Sequence, residues 1–217
     1  VLVRPIALQK EFPSKRRAVV TYPVISGLTP AVLTKVRAQL DFKNIFDYSL
    51  KEYREDAWLS EFTYAVNHNA DYLLDLTFTQ EGSAAYPDTQ SKHFLINLKN
   101  GNVLKAADVF NSAKLPELAA AVDRKLQDEL KQIDQENAQA GEPPEDQAIR
   151  REANEVLKFE VENLDDFSVG ERGITFLYDA GFPHVIQAFE PEGRYFFSYS
   201  ELKPFIKRDG PLGRFIR

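Results

Sequence analysis

A chain of 217 residues with 43% hydrophobic and 28% charged side chains has the balance of a folded protein and is too apolar for wholesale disorder. Its formal charge of -6 repels phosphate backbones, so nucleic acid is not an expected partner, and the absence of cysteine excludes disulfides, thiolate metal sites and thiol nucleophiles. The apolar runs are far shorter than the ~20 residues of a membrane-spanning helix, and the length suits one domain, residues 1–217, carrying an insertion.

In chain order, Ala18 to Val24 are β-branched and aromatic enough for a first strand, with Pro23 marking an edge or an end. A helix is expected next: Thr29 is a capping residue, Pro30 suits the first helical position, and Val32, Leu33, Val36 and Leu40 recur at helical spacing. Phe62-Tyr64-Val66 and Tyr72-Leu74-Leu76-Phe78 alternate on either side of Asn67 to Asp71, the pattern of a hairpin. Asn100-Gly101 between Phe94–Leu98 and Val103-Leu104 predicts a second hairpin with a tight type I′ turn.

Pro116 can open the longest helix, with Leu118, Ala119, Val122, Leu126, Leu130 and Ile133 as its apolar stripe and Lys125 facing Glu129 one turn on. The polar stretch 134–147, with Gly141, Pro143 and Pro144, reads as a flexible insertion, and Ile149, Ala153, Val156 and Leu157 predict another amphipathic helix. Phe167–Val169 and Ile174–Tyr178 pair across Gly170 to Gly173, and Tyr195 to Tyr199 supplies a last strand. Hairpins interrupted by helices predict an α+β fold, a largely antiparallel sheet with flanking amphipathic helices.

Residues with catalytic potential do not assemble into a motif. No glycine-rich loop joins a strand to a helix, and Ser26, Ser83 and Ser200 lack a nucleophile elbow. His68, His93 and His184 are too dispersed for a paired metal motif, so neither a metal nor another cofactor is expected. His68 reads as a solvated turn residue and His93 as an outward polar position, while Asp71, Asp75, Asp165, Asp166, Glu190 and Glu192 read as surface acids. The aromatic residues of the predicted turns are the better candidates. Tyr86, Phe182 and Phe189, with the adjoining Pro183 and His184, are placed to act as anchors for a partner.

Three motifs occur in a telling order. Tyr22-Pro23 and Ile25-Ser26-Gly27-Leu28 precede a helix, Leu98-Lys99-Asn100-Gly101 leads to Ala107-Asp108-Val109-Phe110, and Phe176 to Tyr178 leads to the run from Ser198 to Pro204. Together they resemble the extracytoplasmic domain of the lysozyme-sensing anti-sigma factors, which is similar to the non-catalytic part of a peptidoglycan deacetylase and to envelope lipoproteins. The resemblance implies a non-catalytic extracytoplasmic domain, periplasmic or at the cell surface, that binds lysozyme or another cationic envelope protein. The start on Val1 fits either a truncated chain or a mature region from which a leader or anchor was removed. Where the family often shows Gly-Gly-Ala-His-Pro, this chain has Ser83-Ala84-Ala85-Tyr86-Pro87, and its turn from Gly181 to Gly193 is longer. The alternative is an accessory domain for cell-wall polysaccharide processing, which calls for a glycan cleft lined by Trp58 or tyrosines; a hydrolase using paired carboxylates ranks third.

Overall fold

Strand alternation puts Leu74, Leu76 and Phe78 on one face of a hairpin strand, where all three are fully buried. At about 2 kcal/mol for each such side chain, that face anchors the first of two cores. The computed structural model describes residues 1–7, 19–46, 49, 52, 59–83, 87–182 and 184–217. Their contacts divide into two compact units, Val1–Leu104 and Lys105–Arg217, where the sequence suggests one domain. The class is α+β, with largely antiparallel sheets and flanking helices.

The first unit is a six-stranded sheet in sequential order: β1 (Leu2–Ala7), β2 (Val19–Ser26), β3 (Leu59–Ala70), β4 (Leu73–Ser83), β5 (Pro87–Asn97) and β6 (Asn102–Val103). Among the described strands only β2 and β3 run parallel, and their described residues pair at Val19–Glu61 and Val20–Phe62. That short contact explains how Pro23 sits inside β2 without being at a sheet edge. The parallel ladder has ended before Pro23, whose partner is Pro5 on the other side. Strand β1 escapes the sequence pattern because it is almost wholly exposed and has no alternation. Helices α1 (Pro30–Gln39) and α2 (Phe42–Phe46) follow β2. Proline opens α1 as expected, but the Thr29 side chain makes no capping bond.

Aromatic rings run through this core: Tyr22 stacks on Phe42 at 5.0 Å, Phe42 lies 5.1 Å from Phe62, and Phe78 meets Phe94 edge-on at 5.8 Å. The Tyr22 hydroxyl donates to the carbonyl of Leu40, and burial, aided by the Asp41 charge, pushes its pKa up to about 12.

Two turns differ from expectation. The β3–β4 strands continue through Asn67 to Ala70 and close at Asp71-Tyr72, both with positive φ, 57° and 60°. The β5–β6 turn spans four residues between Asn97 and Asn102, with only Gly101 left-handed (φ 77°). A Cβ on Gly101 would stand 2.9 Å from that of Lys35 and 3.0 Å from the Val32 carbonyl, so glycine is what lets α1 seat on the turn.

In the second unit, α3 (Ala106–Val109), α4 (Leu115–Gln139) and α5 (Pro144–Glu155) precede a three-stranded antiparallel sheet of β7 (Phe167–Val169), β8 (Gly173–Leu177) and β9 (Arg194–Ser198). Helix α6 (Tyr199–Leu202) follows directly. The predicted stripe Leu118, Ala119, Val122, Leu126 and Leu130 is buried. Phe110, Phe159, Phe167 and Phe176 are buried as well, with Phe110 5.6 Å from Phe167 and 5.8 Å from Phe176. The end of β9 was expected to run on through Tyr199; instead Ser198 and Glu201 cap α6 reciprocally.

Residues 134–147 are not a loose insertion. Helix α4 continues to Gln139 and α5 starts at Pro144, and their connection is pinned by Arg150. Its fully buried guanidinium donates from Nε and Nη2 to the two oxygens of Glu142 at 3.0 and 2.6 Å, and Nη1 pairs with Asp134. The buried member of α5 is therefore this arginine, whereas Ile149 and Val156, expected to pack inward, are exposed. Removing one partner of a buried pair leaves the others charged and uncompensated. Arg150→Ala should lower unfolding free energy by about 3 kcal/mol in urea titration, and deleting residues 139–146 should cost at least as much; wild-type melts would show that the pin is dispensable.

Candidate functional site

The β8–β9 hairpin carries a long excursion, residues 178–193, that holds most of the aromatic candidates. Its base is closed by the Tyr178 amide donating to the Gly193 carbonyl at 2.8 Å. Gly193 has φ 64°, and a Cβ there would fall 1.9 Å from the Tyr178 carbonyl oxygen, so only glycine fits the pinch. Within the excursion, Phe182 and Phe189 are half-buried, and the Phe182 amide donates to Glu190 at 3.4 Å. His184 opens a 3-10 turn that runs to Phe189. Its side chain, and Tyr86, Pro183 and Trp58, lie outside the described residues.

Glu129 of α4 ties this loop to the helix. One carboxylate oxygen accepts from the Glu192 amide at 2.7 Å and the other from the Tyr195 hydroxyl at 2.8 Å. The expected Lys125–Glu129 pairing is replaced: the Lys125 ammonium donates to the Phe196 carbonyl at 2.7 Å and lies 4.3 Å from the centre of the Phe197 ring. Between α4 and the loop base runs a groove of about 640 Å³. Asp128, Glu129, Glu136, Glu190 and Glu192 line it against two cations, Lys125 and Arg194. Residues 128, 129, 132, 133 and 136 recur at helical spacing, so the acidic face of α4 was readable; its meeting with Glu190 and Glu192 was not.

Two further polar features were missed. Asp75, expected to be solvated, is fully buried and accepts from Asn67 at 2.7 Å, and His93 Nε2 lies 2.7 Å from the same oxygen. His93 is nearly buried too, so it is not an outward polar position. The first unit also has a cleft of about 650 Å³ where the Gly27-Leu28 and Leu98-Lys99 motifs meet the Asp71-Tyr72 turn. Among the described residues, no group of three or more His, Asp or Glu side chains is arranged to hold a metal ion, and no helix is long and apolar enough to cross a membrane.

Burial first, then the bond to Glu129 and its charge, hold the Tyr195 phenol well above its ordinary value of 10.0. The folded state thus keeps a proton that the unfolded chain releases. This contribution is complete below that ordinary value and is lost as pH rises through the folded one. Tyr195→Phe should make the fall of unfolding free energy from about pH 10 to about pH 11.5 shallower than in the wild type; equal slopes in urea titrations would refute the coupling.

No protein-family model matches the chain, and no curated protein matches it. Among solved structures, it is similar to a member of the DUF3298 family from Bacteroides fragilis NCTC 9343, at 15% identity and a TM-score of 0.56, covering 100% of this chain and 94% of that one. It is also similar to a DUF3298 family protein from Pseudomonas aeruginosa PAO1, at 12% identity and a TM-score of 0.51, covering 95% and 92%. At these identities the likeness is one of fold, to structures of an uncharacterised family.

Proposed function

We propose that this protein is a non-catalytic binding domain of the cell envelope whose partner is a cationic protein, lysozyme being the partner that the motif resemblance implies. The observation that carries the reading is the acidic groove beside the Phe182–Phe189 loop, lined by five carboxylates and two cations, with Asp128 also paired to Lys131 at 3.1 Å. A groove with an excess of one sign raises the local concentration of an oppositely charged partner and speeds encounter, whereas apolar anchors that become buried govern how long the complex lasts. Here both belong to one segment, since Glu190 follows directly on Phe189 and Glu192 comes two residues later.

The reading needs no chemistry from the groove. Glu129 is held by two donors, and the phenol that bonds to it is buried and difficult to ionise, which suits a fixed scaffold rather than a proton-transfer pair. An extracytoplasmic location follows from the motif resemblance and accords with a secreted cationic partner.

Surface plasmon resonance with immobilised protein and soluble lysozyme tests this. Saturable binding is expected at low salt, with association slowed by added salt more than dissociation is accelerated. Reversing two charges, Glu190→Lys with Glu192→Lys, should reduce the association rate roughly tenfold. Phe182→Ala should instead raise the dissociation rate, corresponding to about 1 to 3 kcal/mol for a buried anchor. Absence of saturable binding, or binding indifferent to the charge reversal, would overturn the proposal.

A further inference from the structure

We propose that the cleft in the first unit is a saccharide site that seats a neutral pyranose ring against Tyr72. It concerns a different ligand and a different unit from the cationic-partner reading and stands or falls separately from it. The turn itself is the starting point. Asp71 and Tyr72 occupy both left-handed positions of a two-residue hairpin turn, where asparagine and glycine are the usual occupants and a bulky tyrosine is an outlier. Tyr72 gains no core packing in return, because it is 62% exposed. The strained backbone presents a large aromatic face at the rim of a cleft of about 650 Å³, within the size range of small-ligand sites.

The remaining lining selects the ligand class. Leu28 and Leu98 supply an apolar floor. Asn69 adds an amide, Asp71 a carboxylate and Lys99 an ammonium that sits over one face of the Tyr72 ring, 5.2 Å from its centre. Among the lining side chains one acid and one base balance, so they do not by themselves select a phosphate, a polyamine or a basic peptide. Its donors and acceptors instead stand beside an aromatic surface. A pyranose matches that arrangement: its C–H face packs on the side of the ring that Lys99 leaves open, while its hydroxyls both donate to Asp71 and accept from Lys99 and Asn69. The Asn69 amide, which donates to the Val1 carbonyl at 2.7 Å, is held in place for that role.

The test is a titration of isotopically labelled protein with N-acetylglucosamine tetramer and, separately, cellotetraose, followed by amide chemical shifts. Saturable shifts at residues 27–29, 69–72 and 98–99 with at least one of the two oligosaccharides are expected. Tyr72→Ala should weaken that binding roughly three- to tenfold, and Asn69→Ala should weaken it as well. Tyr72→Gly separates binding from folding, because glycine removes the strain: Tm should rise while affinity falls. The proposal is overturned if neither oligosaccharide shifts these amides at concentrations of about 10 mM, a loose limit for a site of this size. It is equally overturned if Tyr72→Gly binds as tightly as the wild type.

Discussion

The carboxylate of Glu129 is the joint on which the second unit's candidate surface depends. One residue on the long helix takes a backbone amide from the base of the 178–193 excursion and a phenol from the adjoining strand. A hydrogen bond to a charged acceptor is worth about 1.5 to 3 kcal/mol, more than a neutral one, and two of them meet here. With the Gly193 pinch, they fix where Glu190 and Glu192 stand relative to α4. Lys125, one turn earlier, is engaged by the Phe196 carbonyl and the Phe197 ring, where the helical spacing alone would pair it with Glu129. The acidic groove is thus set by which partner each charged side chain chooses, not by composition alone.

The two units reach order by similar means and differ in what they expose. Each packs a run of aromatic rings in its interior, linked through Phe62 and Phe78 in the first and through Phe110 and Phe176 in the second. Such rings add offset and edge-on contacts to ordinary apolar burial. Each unit also buries charge under strict pairing: Asp75 with His93 and Asn67, and Arg150 with Glu142 and Asp134. What remains outside is distinct. The first unit offers a cleft of balanced charge with an exposed tyrosine, and the second an acidic groove with half-buried phenylalanines beside it.

Local signals in the sequence were the ones that could be read. Pro30 before a 3.6-residue apolar repeat gave α1, the stripe from Leu118 to Leu130 gave the buried face of α4, and Gly170 to Gly173 gave the β7–β8 turn. All three rest on neighbours within a few residues. Features set by distant partners were hidden. Charged residue types default to the surface, so Asp75 read as solvated, and nothing local marked Arg150 as buried, until their partners were in view. Nothing in the sequence marks a tyrosine for a left-handed turn, and an exposed edge strand such as β1 has no alternation to detect. The same holds for the candidate surfaces: the 178–193 loop stood out by its aromatics, whereas the groove beside it and the cleft at Tyr72 arise only when separate segments meet.

The most direct measurement is hydrogen–deuterium exchange of the protein with and without lysozyme at low salt. The account expects slower exchange concentrated in residues 178–195 and along 125–136, with the first unit unchanged. Protection confined to residues 19–104, or no protection at any lysozyme concentration, would contradict it.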